Sequence, residues 1–154
     1  MEPKFLKDLY ASFAKLVDEY GFTKVDEFMD ERDYTVDYCS SVFCIKLEKY
    51  GREFYETLYK PGFPAQIGPD NLLRFLNIRY PEFKYFHGKF SKASDFEAYY
   101  RKQFEHISTT IYENFATIND FFARDDFAHK AAELREFVIK SNPQRFKRIS
   151  DGET

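Results

Sequence analysis

Tyr34-Thr35-Val36-Asp37-Tyr38-Cys39-Ser40-Ser41-Val42-Phe43-Cys44-Ile45-Lys46-Leu47-Glu48-Lys49-Tyr50 places apolar side chains at alternate positions on both sides of a serine pair. Tyr34, Val36 and Tyr38 share one parity before the turn, and Phe43, Ile45 and Leu47 share one after it. A period of two interrupted by turn formers predicts two antiparallel strands with one buried face. Gly51 marks a second reversal, Arg52 to Tyr59 supplies a third strand, and Phe22 to Phe28 is a candidate strand on the N-terminal side. Pro61, Gly62, Pro64, Gly68 and Pro69 then exclude regular structure until a short helix near Asp70, which carries Leu72, Leu73, Phe75 and Leu76.

Outside this meander the period changes to that of a helix. Phe5, Leu6, Leu9, Phe13, Leu16, Val17 and Tyr20 recur at three- and four-residue spacing, with Pro3 suited to the first turn and Gly21 to a left-handed cap. Ser94 and Glu97 read as a capping box opening a long helix, whose stripe runs Phe96, Tyr100, Phe104, Ile107, Ile111, Phe115, Ile118 and Phe122. A last helix from about Asp125 to Lys140 turns Ala128, Ala131, Leu134 and Val138 inward, and Asn142-Pro143 stops it.

This order predicts an α+β fold: an N-terminal helix, a small antiparallel meander of three or four strands, then C-terminal helices packed on one face. A length of 154 residues suits one domain, assigned to residues 1–143, with a polar, frayed tail over 144–154.

Composition narrows the function classes. Aromatic residues make up 20 % of the chain, with 19 Phe, 12 Tyr and no Trp, so rings must fill much of the core and some must remain outside; the expected place for the tyrosines is half-buried at a sheet or helix margin, with a binding surface as the alternative. The apolar runs are far short of the roughly 20 residues needed to span a bilayer, and the start Met1-Glu2-Pro3-Lys4 lacks a secretory signal, so the cytoplasm is the expected compartment and no membrane the expected partner. Cys39 and Cys44, without further Cys or His partners, read as ordinary small residues rather than a disulfide or zinc site.

Charge is unevenly placed. The net value is −3, which argues against nonspecific nucleic-acid binding. Over residues 26–33 the five acids Asp26, Glu27, Asp30, Glu31 and Asp33 stand against the one base Arg32, whereas Lys140, Arg145, Lys147 and Arg148 make the C-terminal end basic. The aromatic and basic stretch Tyr80 to Phe90 could stack bases, but two interspersed lysines leave a loop folded onto the core as the expected reading.

The common catalytic and phosphate-binding motifs are absent, and no cofactor or metal is expected. Asp126, His129 and Glu133 share a helical face, which reads as surface i,i+4 pairing. Glu53, Glu56 and Asp70 lie near the meander and could form an acid–base pair, although nothing in their spacing selects them from the other acids. Binding without turnover is the expectation.

The helix ending Leu16-Val17-Asp18-Glu19-Tyr20-Gly21-Phe22, the meander through Tyr34, Val36, Tyr38 and Arg52-Glu53-Phe54-Tyr55, and the opening Pro69-Asp70-Asn71-Leu72-Leu73 resemble small bacterial immunity proteins of contact-dependent inhibition and other polymorphic-toxin systems. The resemblance covers roughly residues 3 to 78. It implies a non-catalytic partner of a cognate toxin domain. Were that toxin a nuclease with a basic cleft, the acidic run Asp26, Glu27, Asp30, Glu31 and Asp33 would imitate phosphates and steer association. The alternatives are a regulatory or structural interaction module, and a small-ligand binder or enzyme with a pocket between sheet and long helix.

Overall fold

The computed structural model describes residues 3–142, so the assigned tail lies outside the described residues. The elements follow the order α1 (Lys4–Asp18), β1 (Thr23–Met29), β2 (Tyr34–Cys39), β3 (Cys44–Tyr50), β4 (Glu53–Tyr59), β5 (Gln66–Ile67), α2 (Pro69–Phe75), α3 (Ala93–Glu113), α4 (Phe115–Ala123) and α5 (Phe127–Ser141). The strands form one antiparallel sheet in sequence order, and the expected α+β architecture is present.

The alternation in the opening stretch determines which face is buried. Val36 pairs with Leu47 and Tyr38 with Ile45 across β2–β3, and Leu47 and Ile45 pair in turn with Glu56 and Leu58 of β4. The apolar members of these rows pack under α1, which buries Leu6, Leu9, Phe13 and Leu16, and under α3, which buries Phe104, Ile107 and Ile111. Aromatic rings lock the layers: Phe54 meets Phe104 edge-on at 4.6 Å, and Phe43 stacks on Phe122 at 4.8 Å. Each such fully buried ring contributes about 2–3 kcal/mol relative to exposure. Gly21, at φ +74°, lets the chain leave α1 through a left-handed cap, and Phe22 donates its N–H back to the Leu16 carbonyl at 3.0 Å.

The sheet is longer than expected by β5. Two residues inside the proline- and glycine-rich segment pair with Leu58 and Tyr59, because pairing that short needs no donor from the flanking prolines. The long helix is broken: Asn114 leaves helical geometry at φ −115° and ψ 16°, its side chain donates to the Thr110 carbonyl, and α4 starts afresh at Phe115. The start of α3 also differs, since Asp95, not Glu97, reaches back to accept from the Lys92 N–H at 3.2 Å and the Ser91 N–H at 3.1 Å. In α5, Phe127 and Leu134 are the buried residues and Ala128 faces out.

Cys39 and Cys44 form a disulfide, contrary to their reading as ordinary small residues. They lie directly opposite each other at the mouth of the β2–β3 hairpin, with Cα atoms 4.1 Å apart. Ser40 and Phe43 next to them close the turn with a backbone hydrogen bond of 2.9 Å. That leaves the cysteines at the close, non-hydrogen-bonded type of pair. The hairpin register alone brings the two thiols together, so this bond needs no wider cysteine framework.

No helix among the described residues is long and apolar enough to cross a membrane.

Candidate partner-docking edge

β1 pairs with β2 on one side only and is the first strand of the sheet. All seven of its residues are exposed. Val25 takes no partner in the register, because the ladder shifts between Lys24 and Asp26, and this bulge sets the strand out of simple alternation. Val25 is 56 % exposed, Phe28 55 % and Met29 44 %, and Phe28 and Met29, being consecutive, project from opposite faces of a strand whose outer N–H and C=O groups have no ladder partner.

The acidic run is placed on this strand and on the turn after it, but its five members differ in role. Glu27 Oε2 accepts hydrogen bonds from Tyr10 of α1 and Tyr34 of β2, each at 2.6 Å, and Oε1 accepts from Lys24 at 2.9 Å. Burial would raise the Glu27 carboxyl, but these three donors outweigh it and hold it below the ordinary glutamate value. Asp30 caps the β1–β2 turn, with Oδ1 accepting from the Asp33 N–H at 2.7 Å and the Arg32 N–H at 2.8 Å, and these backbone donors depress its carboxyl. Glu27 and Asp30 therefore hold the edge in shape.

Asp26, Glu31 and Asp33 are exposed and take no side-chain hydrogen bond or ion pair among the described residues. They are the members of the run that a partner can engage. Sequence reading found the acids and missed Val25, Phe28 and Met29 beside them. Their signal was the failure of Thr23–Met29 to alternate, which a bulged, two-sided-exposed strand produces.

The other candidates separate. Arg52 donates to the carbonyls of Gly88, at 2.7 Å, and Phe86, and lies over the Phe90 ring at 4.8 Å. The aromatic loop is thereby fastened to the start of β4, with Phe83 and Phe90 against Tyr99 of α3. His129 and Glu133 make an exposed i,i+4 pair at 2.9 Å on α5, while Asp126 pairs with Arg124 at 2.7 Å. Glu53 accepts from Tyr99 at 3.3 Å, apart from Glu56 and Asp70, which line one cavity.

The arrangement at β1 suits strand addition, in which an extended partner segment hydrogen-bonds to the open edge while its side chains meet the exposed apolar residues on either face and the three free acids. No protein-family model matches the chain, and neither a curated protein nor a solved structure matches it significantly.

Proposed function

We propose that the protein is a non-catalytic binding protein that neutralises a cognate bacterial toxin domain by direct contact, as the immunity proteins it resembles do, and that β1 with its following turn is the docking edge. The observation that supports this reading is the exposure of the whole of β1, where Val25, Phe28 and Met29 lie among Asp26, Glu31 and Asp33. Apolar area gives such a contact its strength, and the free acids select a basic partner and speed encounter.

The reading includes a cytoplasmic site of action, where thiol reductants would open the Cys39–Cys44 bond. Six register pairs hold β2 to β3, so the hairpin does not depend on that bond to keep its pairing.

The test is co-expression with any toxin domain that a neighbouring gene encodes, scored by survival of the cells and by inhibition of the purified toxin. Protection is expected, and its loss on joint reversal of Asp26, Glu31 and Asp33 to Lys places the contact on this edge. Survival no better than that of unprotected cells sinks the immunity reading.

A second reading, a regulatory or structural interaction module, is favoured by one observation. Tyr50 is 71 % exposed and meets the 47 %-exposed Tyr55 edge-on at 6.4 Å, an aromatic pair on the sheet with no toxin-specific feature. Recovery of a stoichiometric non-toxin partner that is released by Tyr50→Ala and Tyr55→Ala would support it.

A further inference from the structure

At the opposite side of the sheet from β1, a cavity of about 440 Å³ opens between β4, α2, α3 and the aromatic loop. Three carboxylates from three segments line it: Glu56 of β4, Asp70 of α2 and Glu82 of the loop. No Lys or Arg lines it, and none of these three acids forms an ion pair among the described residues. The other walls are aromatic, with Phe83 edge-on to Tyr85 at 5.1 Å and 5.4 Å from the His106 ring.

Glu56 stands on the helix-covered face of the sheet, paired with Leu47 on β3, where a hydrophobic residue would continue the apolar row. An acid in that row is unfavourable for folding unless something compensates its charge. We propose that this cavity is a binding site for a small organic cation, an alkyl amine or diamine, whose ammonium group is held by Glu56 and Asp70 and whose carbon chain lies against Phe83 and Tyr85.

The chemistry is consistent from each wall. Carboxylates accept from the ammonium protons, and the faces of aromatic rings attract the positive charge. His106 offers no competing positive charge near neutrality, because burial lowers its pKa. Burial first, and then the neighbouring Asp70, raise the Glu56 carboxyl to about 7. Burial and the same acids raise the Tyr80 hydroxyl, and Tyr85 rises to about 12, so both rings stay neutral across the physiological range. Arg74, the cation that acts on Tyr80 from α2, is bonded to Asn71. Removing the proton from Glu56 thus strengthens the site for a cation while the two tyrosines stay neutral.

The experiment is isothermal titration of the full chain with putrescine and with agmatine, using glutarate as an anionic control. Saturable one-to-one binding of at least one amine at about pH 8, weakened about tenfold or more by Glu56→Gln, by Asp70→Asn and by lowering the pH to about 6, is the expected result. Circular dichroism of each variant confirms that the fold is intact, and Tyr85→Leu, which keeps all three acids, is expected to weaken binding by removing an aromatic wall. The proposal is overturned if neither amine binds up to about 10 mM, if both carboxyl variants bind as the parent does, or if glutarate binds as well as the amines. The cavity and β1 occupy different sides of the sheet, so either result leaves the toxin-binding test unaffected.

Discussion

Tyr34 donates its phenolic proton to Glu27 at 2.6 Å, and the oxygen that receives it also accepts from Tyr10 at 2.6 Å. One carboxylate thus ties the edge strand both to its neighbour β2 and to α1. Tyr34→Phe keeps the ring in the core and removes one charge-assisted hydrogen bond, so a loss of about 1.5–3 kcal/mol is expected in urea denaturation. The pH dependence has a definite sign. The folded Glu27 carboxyl lies below its ordinary value, so its contribution is fully present above that ordinary value, near 4.5, and is lost as the pH falls through the lowered one. Tyr34→Phe should flatten this acid limb of the stability curve, and an unchanged limb would assign the acid sensitivity elsewhere.

The acidic residues divide into two groups with opposite signatures. Reversal of Asp26, Glu31 and Asp33 to Lys is expected to change the melting temperature little, since surface charges away from specific bonds contribute within about 0.5 kcal/mol. Association with a basic partner should slow by about tenfold at low salt, with a flatter salt dependence. Asp30→Ala should behave differently, lowering the melting temperature because the Arg32 and Asp33 N–H groups of the β1–β2 turn lose their carboxylate acceptor. Stopped-flow association rates at two ionic strengths, read beside thermal melts, separate the two groups.

What was legible in the sequence follows from periodicity. Leu6, Leu9, Phe13 and Leu16 declare α1, and Tyr34, Val36 and Tyr38 declare β2, because each pattern matches the geometry of one regular element. The break at Asn114 was hidden, since Ile111, Phe115 and Ile118 keep helical spacing across it while a side-chain bond to the Thr110 carbonyl accompanies the end of α3. The acidic run was legible as charge, but its division was not. Asp30 caps its turn through neighbours two and three residues on, but Glu27 is held by Tyr34 and Tyr10, 7 and 17 positions away, and the run itself does not reveal those partners. The cavity around Glu56 was unreadable for the same reason, because its acids arrive from a strand, a helix and a loop.

The disulfide closes a loop of only a few residues, so chain entropy limits its contribution. For such a loop the constraint on the unfolded chain amounts to about 2 kcal/mol. Cys39→Ser with Cys44→Ser is therefore expected to lower stability by about 1–2 kcal/mol while leaving the far-ultraviolet spectrum unchanged, because β2 and β3 remain paired over six positions. Dithiothreitol should reproduce the shift in the parent protein and have no effect on the variant. Alkylation of thiols at the moment of lysis, followed by mass spectrometry, then reports whether the bond exists in the compartment where the protein acts.

Glu56 makes the opposite pH prediction to Glu27. Its folded carboxyl is raised to about 7 from 4.5, so the folded protein holds a proton that the unfolded chain has released between those values. Stability should therefore fall as the pH rises through that window and level off above it, the reverse of a salt-bridged acid. Glu56→Gln removes the half-buried charge at nearly constant shape, and is expected to stabilise the protein at about pH 8 by on the order of 2 kcal/mol and to have little effect near pH 4. An amine bound in the cavity would reproduce part of this gain in the parent, since a ligand that binds only the folded state raises its stability by mass action. Thermal melts of parent and variant across the window, with and without putrescine, resolve the two contributions. A variant that melts with the parent at every pH would show that Glu56 is solvated in the folded protein, and would remove the desolvated carboxylate from the account of the cavity.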